Sequence, residues 1–447
     1  MNRKSIRIGL RAKWMIGALA LVITSASYAN GNTLVGGGST LPAFGYAGLS
    51  TNNPIYPASA NSLFGAFSAQ TGSPGVSYCE TGDVDALNIF IDTSGYSVQN
   101  ACTRSAGIYH GLGAATAGRT DLTQANYIAS DLTLSQADFT DYVANHSSGS
   151  YPVQFPALAG AIGVAFNLVD STGDTVTSSE VNFTDAQLCK IFSGEVTNWD
   201  DTELASAFTL PVGHTIAAAP INVQFRSDST GTTLGFSSHL VNVCGSVITS
   251  GSFVTNQVFT DVVANLLPAI PSNWTASSNN LALADAIAGI ANSIGYVETN
   301  NAVAVTPGLQ YADVNGESPL TNFGSPLTIN SGDLVYNKAI SGNGSITAIS
   351  GAPSTDCIAL IPPADYVVPG SGILPTGTYP IVTVSYLLGN ANGNGTDLAA
   401  VRGLLASPYN ATLRSSITTI GPGTGLAFFT LGRGSFTAAQ VSSCLVN

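Results

Sequence analysis

Residues Phe225–Phe236 read FRSDSTGTTLGF: an arginine, an aspartate two residues on, then serine and threonine hydroxyls around one glycine, then an apolar run. Arginine offers a planar fork of charged donors. Ser and Thr add O–H donors, and glycine lets a backbone approach a ligand closely. The turn leads into a helix pattern, whose first N–H groups are free and carry partial positive charge. Together these would make an anion site of Arg226, Thr230, Gly231 and Thr232. A second turn of this kind, Gly36-Gly37-Gly38-Ser39-Thr40, lies near the N-terminus. Taken singly, either turn reads equally well as an ordinary N-cap. Asp131, in YIASDLTLS, alone reads as a cap or turn residue. Inside an anion site it would accept a hydrogen bond from an anion that still carries a proton and reject a fully ionised one.

The first 29 residues stand apart from this chemistry. Arg3, Lys4, Arg7, Arg11 and Lys13 precede the apolar run WMIGALALVIT and the small residues SASYA. That is the pattern of a secretory leader, 1–29, cleaved after Ala29. The run falls far short of the ~20 apolar residues that a spanning helix needs. The chain is therefore expected to be exported, to a periplasm or beyond the cell, without membrane insertion of its mature part. Of 13 basic residues the leader holds five, which leaves 8 against 26 acidic ones. Such a surface repels nucleic acid and anionic lipid, so neither is expected as a partner.

Cys79, Cys102, Cys189, Cys244, Cys357 and Cys444 are even in number and include no C-x-x-C pair. In an exported chain they read as disulfides. Sequential pairing, Cys79–Cys102, Cys189–Cys244 and Cys357–Cys444, keeps each bridge within one segment. His110, His146, His214 and His239 are scattered, with no evident carboxylate-paired spacing, so no metal and no cofactor is expected.

The elements that must hold these groups alternate between β-rich runs and helix-like segments, the pattern of an α/β protein. TLVGGGSTLPAFGYAGL and APINVQFRSDSTGTTLGFSSHLV each read as strand, polar turn, helix. DAQLCKIFSGEV is an amphipathic helix with Thr184 or Asp185 at its start and Gly194 at its end. LALADAIAGIANSIGYVE runs from helix to strand, and DLAAVRGLLAS is a late helix. Phe155–Leu168, FPALAGAIGVAFNL, reads as a buried strand. The tracts 88–120, 310–350 and 388–397 read as loop-rich surface insertions.

VGGGSTLPAFGY, YIASDLTLS, VQFPALAGAIGVAFNL, CKIFSGEVTNWDD, FRSDSTGTTLGF, ANSIGYVE and YPIVTVSYLL follow one another in this order. In this combination most of the mature chain resembles the periplasmic phosphate-binding proteins of ABC transporters, including their secreted DING-type relatives. The resemblance implies an α/β, two-lobed periplasmic-binding-protein fold (type II-like) with a hinge between lobes. Lobe I would comprise 30–155 and 298–447, and lobe II the central insert 156–297, with crossovers near Phe155 and Glu298. It implies inorganic phosphate as ligand and an ABC permease as partner. Ser39, Thr40 and Leu41 fall on the N-terminal contact segment, where the backbone N–H groups and the Thr40 hydroxyl would face phosphate. Asp131 matches the proton-accepting aspartate, Arg226 the arginine with Asp228 as its salt-bridge partner, and Thr230, Gly231 and Thr232 the Ser-Gly-Thr turn.

One position departs from that pattern. The family's Ser-rich turn aligns with SYCETGDVDALNIF, where Asp83 stands in the serine position. A carboxylate there would repel phosphate unless it points away or binds a proton. An alternative match, GIYHGLGAATAG, offers Thr116 instead. No glycine precedes any lysine, so the chain has no Walker A motif and cannot power transport itself. It also lacks a G-x-S-x-G elbow and a His-rich metal cluster. A receptor is therefore expected in preference to an enzyme such as a DING-type phosphatase. The alternative is a secreted structural or adhesive protein that keeps the fold with an altered or lost site.

Overall fold

The computed structural model describes residues 32–48, 55–105, 107–341 and 343–447, and the expected leader lies outside them. Near the N-terminus β1 (Leu34–Gly37) pairs in parallel with β2 (Val76–Cys79), and a bridge from Gly38 to Ala129 ties this pair to β3 (Ile128–Ser130). The longest strand, β4 (Pro152–Asn167), is buried along all but its last residue. Its unbroken apolar character suits a strand covered on both faces, where alternation is not required.

β4 organises a nine-stranded mixed sheet. Further along the chain come β5 (Asn222–Arg226), β6 (Thr275–Ser277), β7 (Ser293–Glu298), β8 (Gln310–Tyr311), β9 (Leu327–Ile329), β10 (Val382–Asn390) and β11 (Leu426–Leu431). Over Pro152–Ala161, β4 pairs antiparallel with β10, and from Gly160 to Leu158 also with β11. Over Ile162–Asn167 its antiparallel partner is β7, which continues in parallel to β5 and β6. The ladder to β10 slips by one residue between Ser385 and Tyr386, opposite Leu158 and Pro156. Pro156 has no N–H to give to the ladder, and a bulge is where a sheet tolerates that.

The five expected helices form around this sheet, together with one at Asp83–Phe90, where the sequence predicts a turn. They are α1 (Ala43–Ala47), α2 (Asp83–Phe90), α3 (Asp185–Ser193), α4 (Gly231–Cys244), α5 (Asn280–Gly289) and α6 (Leu398–Ala406). Thr184 caps α3 in a reciprocal box with Gln187, and Gly194 ends it in the left-handed conformation. Phe236 of α4 stacks on Tyr296 of β7 at 4.4 Å and meets Phe192 of α3 edge-on at 4.8 Å. Cys189–Cys244 joins α3 to α4, and Cys79–Cys102 and Cys357–Cys444 close the other two bridges. All three expected loop tracts differ from bare loop, and 88–120 carries the end of α2 and a small antiparallel pair, Arg104–Ser105 with Ile108–Tyr109. Residues 310–350 supply β8 and β9 to the large sheet, because Tyr311, Leu327 and Ile329 are buried there. β10 runs into the tract 388–397 as far as Asn390, whose amide joins Ala125 to Tyr142. No helix of the described residues is long and apolar enough to cross a membrane.

Leu158, fully buried on β4, sets a test of this core. Leu158→Ala should cost about 2–5 kcal/mol through lost contacts and a cavity. Thr184→Ala should cost about 1 kcal/mol through the lost cap. Urea-unfolding midpoints read both.

Candidate functional site

Five chain segments end at one place. β1 delivers Ser39 and Thr40, α2 begins with Asp83, and β3 ends in Ser130 and Asp131. β5 delivers Arg226 and the turn to α4, and β7 ends in Glu298. The approach is so close that only glycine fits at two points. A Cβ on Gly38 (φ 141°) would lie 1.8 Å from the Ala129 carbonyl, and one on Gly231 would lie 2.4 Å from the Asp131 Cβ. Ser39 N–H donates to Ala129 O, and Tyr78 O–H to Ser39 O, which fixes the first loop.

Arg226 is buried, with each guanidinium nitrogen engaged. Nε and Nη2 grip Asp228 at 2.6 Å each, and Nη1 reaches Glu298 Oε1 at 3.1 Å. Burial alone would lower its pKa, but Asp228 and Glu298 overcompensate and hold the cation firmly charged. Glu298 also accepts from Thr40 Oγ1 at 2.5 Å and Thr232 Oγ1 at 2.9 Å. Asp83 lies beside it. One oxygen accepts the Asp131 N–H at 2.7 Å and the Ser130 hydroxyl at 3.4 Å. The other takes the Gly231 N–H at 3.1 Å and the Thr230 hydroxyl at 3.3 Å. Donors of the kind that bind oxyanions thus converge here, and two carboxylates of the chain itself accept from them.

The Asp131 side chain turns the other way. Its Oδ2 accepts from Ser39 Oγ at 2.5 Å, while its Oδ1 and the buried hydroxyl of Ser385, though close enough to interact, form no well-aligned hydrogen bond. Burial, then repulsion from Asp83 and Glu298, pushes its pKa well up. A protonated Asp131 relieves the cost of that unpaired acceptor. Burial also raises Asp83 and Glu298, against the opposing pull of the N–H donors on Asp83 and of Arg226 on Glu298. Glu80, mostly buried and facing Glu298, is raised to about 7. A cavity of about 370 Å³ opens in front of these groups, its charged walls formed by Glu80, Asp83, Asp85 and Asp228 against Arg104 and Arg226.

Ser39, Thr40, Asp131, Arg226, Asp228, Thr230, Gly231 and Thr232 are therefore joined through one hydrogen-bonded cluster with Asp83 and Glu298. Two expectations need correction. Thr116 is exposed in the turn 114–118 and does not line the cavity; that turn is set by Ala117 N–H to Gly113 O and Gly118 N–H to Ala115 O. The Leu41 N–H, expected to face phosphate, is turned onto Ser39 Oγ at 3.3 Å, and the Leu41 side chain is core, packed against Gly160. Glu298 and Ser130 escaped the sequence reading of the site, although Glu298 closes the motif ANSIGYVE. A strand that ends in a lone glutamate after an apolar run was the available signal. The histidines are also better paired than their spacing suggested: His214 meets Asp170 and His239 meets Asp185, across separations that no local pattern reveals. Asp170, Asp174 and His214 are the one cluster among the described residues with metal-ligand proximity. Asp170 there already accepts from Thr172, the Asp174 N–H and His214.

Removing the cation tests how the cluster is balanced. Arg226→Ala leaves Glu298 buried without its partner and should cost about 3–5 kcal/mol. Glu298 is already raised by burial, so it favours the folded state when protonated. The deficit should shrink as pH falls and widen as pH rises. Melting temperatures of variant and wild type at pH 5 and pH 8 check both statements.

Residues 46–399 match the family model described as PBP superfamily domain. Alkaline phosphatase L of Pseudomonas aeruginosa (strain PAO1) is 26% identical over 303 residues, covering 68% of this chain and 66% of that protein. The chain thus spans just under two thirds of that relative's length. Phosphate-binding protein PstS 3 of Mycobacterium leprae is 29% identical over 117 residues, 26% of this chain and 28% of that protein. Among solved structures, a high-affinity periplasmic phosphate-binding protein (PfluDING) bound with phosphate superposes with TM-score 0.57 at 18% identity, over 92% of each chain. A phosphate-binding protein from Stenotrophomonas maltophilia superposes with TM-score 0.53 at 21% identity, over 88% of this chain and 91% of that one. Likenesses at such identities speak for the fold. With its mixed α/β architecture around one large sheet, and a family match across most of its length, the chain belongs to the PBP superfamily.

Proposed function

We propose that this chain is an exported receptor that captures inorganic phosphate in the cleft at Arg226 and hands it to an ABC permease. The observation that carries this reading is the convergence of the Asp131 and Gly231 N–H groups and the Thr230 hydroxyl on one carboxylate. A phosphate oxygen has the same acceptor chemistry and could take the same donors, with Thr40, Thr232 and Arg226 serving a second oxygen. The names of the phosphate-binding relatives point the same way, whereas that of alkaline phosphatase L points to an enzyme. Segments 30–155 and 298–447 would form one lobe and 156–297 the other, closing on the ion about the two crossovers.

The acidity of the cleft narrows what it takes. Glu80, Asp83 and Asp228 line the cavity against Arg226, with Glu298 and Asp131 buried behind them. An anion entering among them raises their pKa values further and so binds together with protons. A fully ionised sulfate brings none. Hydroxyls beside buried carboxylates also occur in phosphoryl-transfer sites, but here Thr40, Thr230 and Thr232 donate to carboxylates that have further donors, which favours a receptor over a hydrolase. A second reading has one specific observation behind it. Asp83 and Glu298 hold the donors, as they would in a secreted protein that kept the fold and gave up the ion.

Isothermal titration of the phosphate-stripped mature chain decides between them. The proposal expects micromolar or tighter phosphate binding, no sulfate binding, and loss of binding in Arg226→Ala. Asp131→Asn should weaken it. Glu80, raised to about 7, titrates within the accessible range. Affinity should therefore strengthen from pH 8 to pH 6, by up to about tenfold per pH unit for each proton taken up. No heat with phosphate at either pH overturns the reading, and turnover of a phosphate monoester in a parallel assay would replace it with an enzyme.

A further inference from the structure

The two carboxylates that accept from the donors come from separate elements and reach across the cleft in the same way. Asp83 stands at the first position of α2, after Gly82 at a positive φ of 82°. It bridges the N-terminal segment, through Asp131 N–H and Ser130 Oγ, to the start of α4, through Gly231 N–H and Thr230 Oγ1. Glu298 bridges Thr40 to Thr232 and Arg226. Both are almost wholly buried, at 5% and 1% exposure, so these contacts are made out of water. Each carboxylate ties residues 39–131 to residues 226–232, which is the connection a bound solute would make in a hinged trap.

We propose that Asp83 and Glu298 are an internal counter-ligand: they hold the cleft shut when no solute is present, and an oxyanion enters only by displacing Asp83 from the Asp131 and Gly231 N–H groups. The proposal rests on the receptor reading for the identity of the solute, but not for the latch itself. Asp83 is the mobile half. It begins its helix and is gripped by hydrogen bonds alone, whereas Glu298 is fixed by Arg226 and by the Asn280 side chain on its N–H. The cavity in front of Asp83 gives its carboxylate somewhere to go. Asp83 thereby also sets specificity. An anion must outcompete a tethered carboxylate and sit near Asp131, Asp228, Glu80 and Glu298, so one that brings a proton is favoured. Internal competition of this kind scales the apparent affinity down to the fraction of chains not held shut.

The test compares the full mature wild-type chain with Asp83→Ser and Asp83→Asn, the second keeping the shape and losing the charge. Small-angle X-ray scattering gives the radius of gyration without solute and with inorganic phosphate, and titration gives the affinity. The latch predicts that solute-free wild type is as compact as the phosphate-loaded chain. Both variants should be measurably expanded without solute and compact again with phosphate, which they should bind at least tenfold more tightly than wild type. If wild type and variants show the same solute-free dimensions and the same affinity, the latch is wrong even where phosphate binds. If the variants expand while no version binds phosphate, the latch stands and the receptor reading falls.

Discussion

A guanidinium taken out of water has to be surrounded by negative charge, and the cleft is built around how Arg226 meets that need. Asp228 comes from its own loop and costs little to place. Glu298 comes from the end of another strand and is buried, so it needs donors beyond the arginine. Thr40 and Thr232 supply them, from the two turns that were the first chemistry visible in the chain. Bringing Glu298 in also brings it close to Asp83 and Glu80. The excess negative charge is then absorbed in two ways, by N–H groups aimed at Asp83 and by carboxyls that hold their protons more tightly than carboxyls in water do. A site assembled on these terms treats an entering anion as a competitor for occupied donors.

The sheet explains why those groups arrive together. β4 changes partners between Ala161 and Ile162, from β10 on one side to β7 on the other, so strands from both parts of the chain end around a common crevice. Crevices of this kind, where strand order changes in an α/β sheet, are where ligands bind. Gly38 and Gly231 let the loops above it touch, with no room for a side chain between backbone and backbone.

Much of this was legible in the sequence, and for identifiable reasons. Local signals carried well. The cap at Thr184, the glycine stop at Gly194, the strand–turn–helix at 222–244 and the unbroken apolar run of β4 each depend on neighbours in the chain. The grouping of Ser39, Thr40, Asp131 and Arg226 came from motif order, since no local rule brings residues 39 and 226 together. What stayed hidden is what long-range geometry decides. Asp83 was correctly seen as a carboxylate in an awkward place, but its direction depends on where the N–H groups of residues 131 and 231 point. Glu298 sat inside a quoted motif yet looked like the end of a strand. The Leu41 N–H was assigned outward, although the loop folds it onto Ser39. Thr116 had the right chemistry and lies on a turn set by its own backbone.

The central claim is that the oxyanion donors of this cleft are held by the chain's own carboxylates until a solute replaces Asp83. A pair of crystal structures tests it most directly, one from phosphate-free protein and one from crystals grown in phosphate. The account predicts Asp83 on the Asp131 and Gly231 N–H groups in the first. In the second, a tetrahedral ion should accept from those same N–H groups, with Asp83 turned into the cavity. An open, solvent-filled cleft in the first structure, with Asp83 away from both N–H groups, would contradict it.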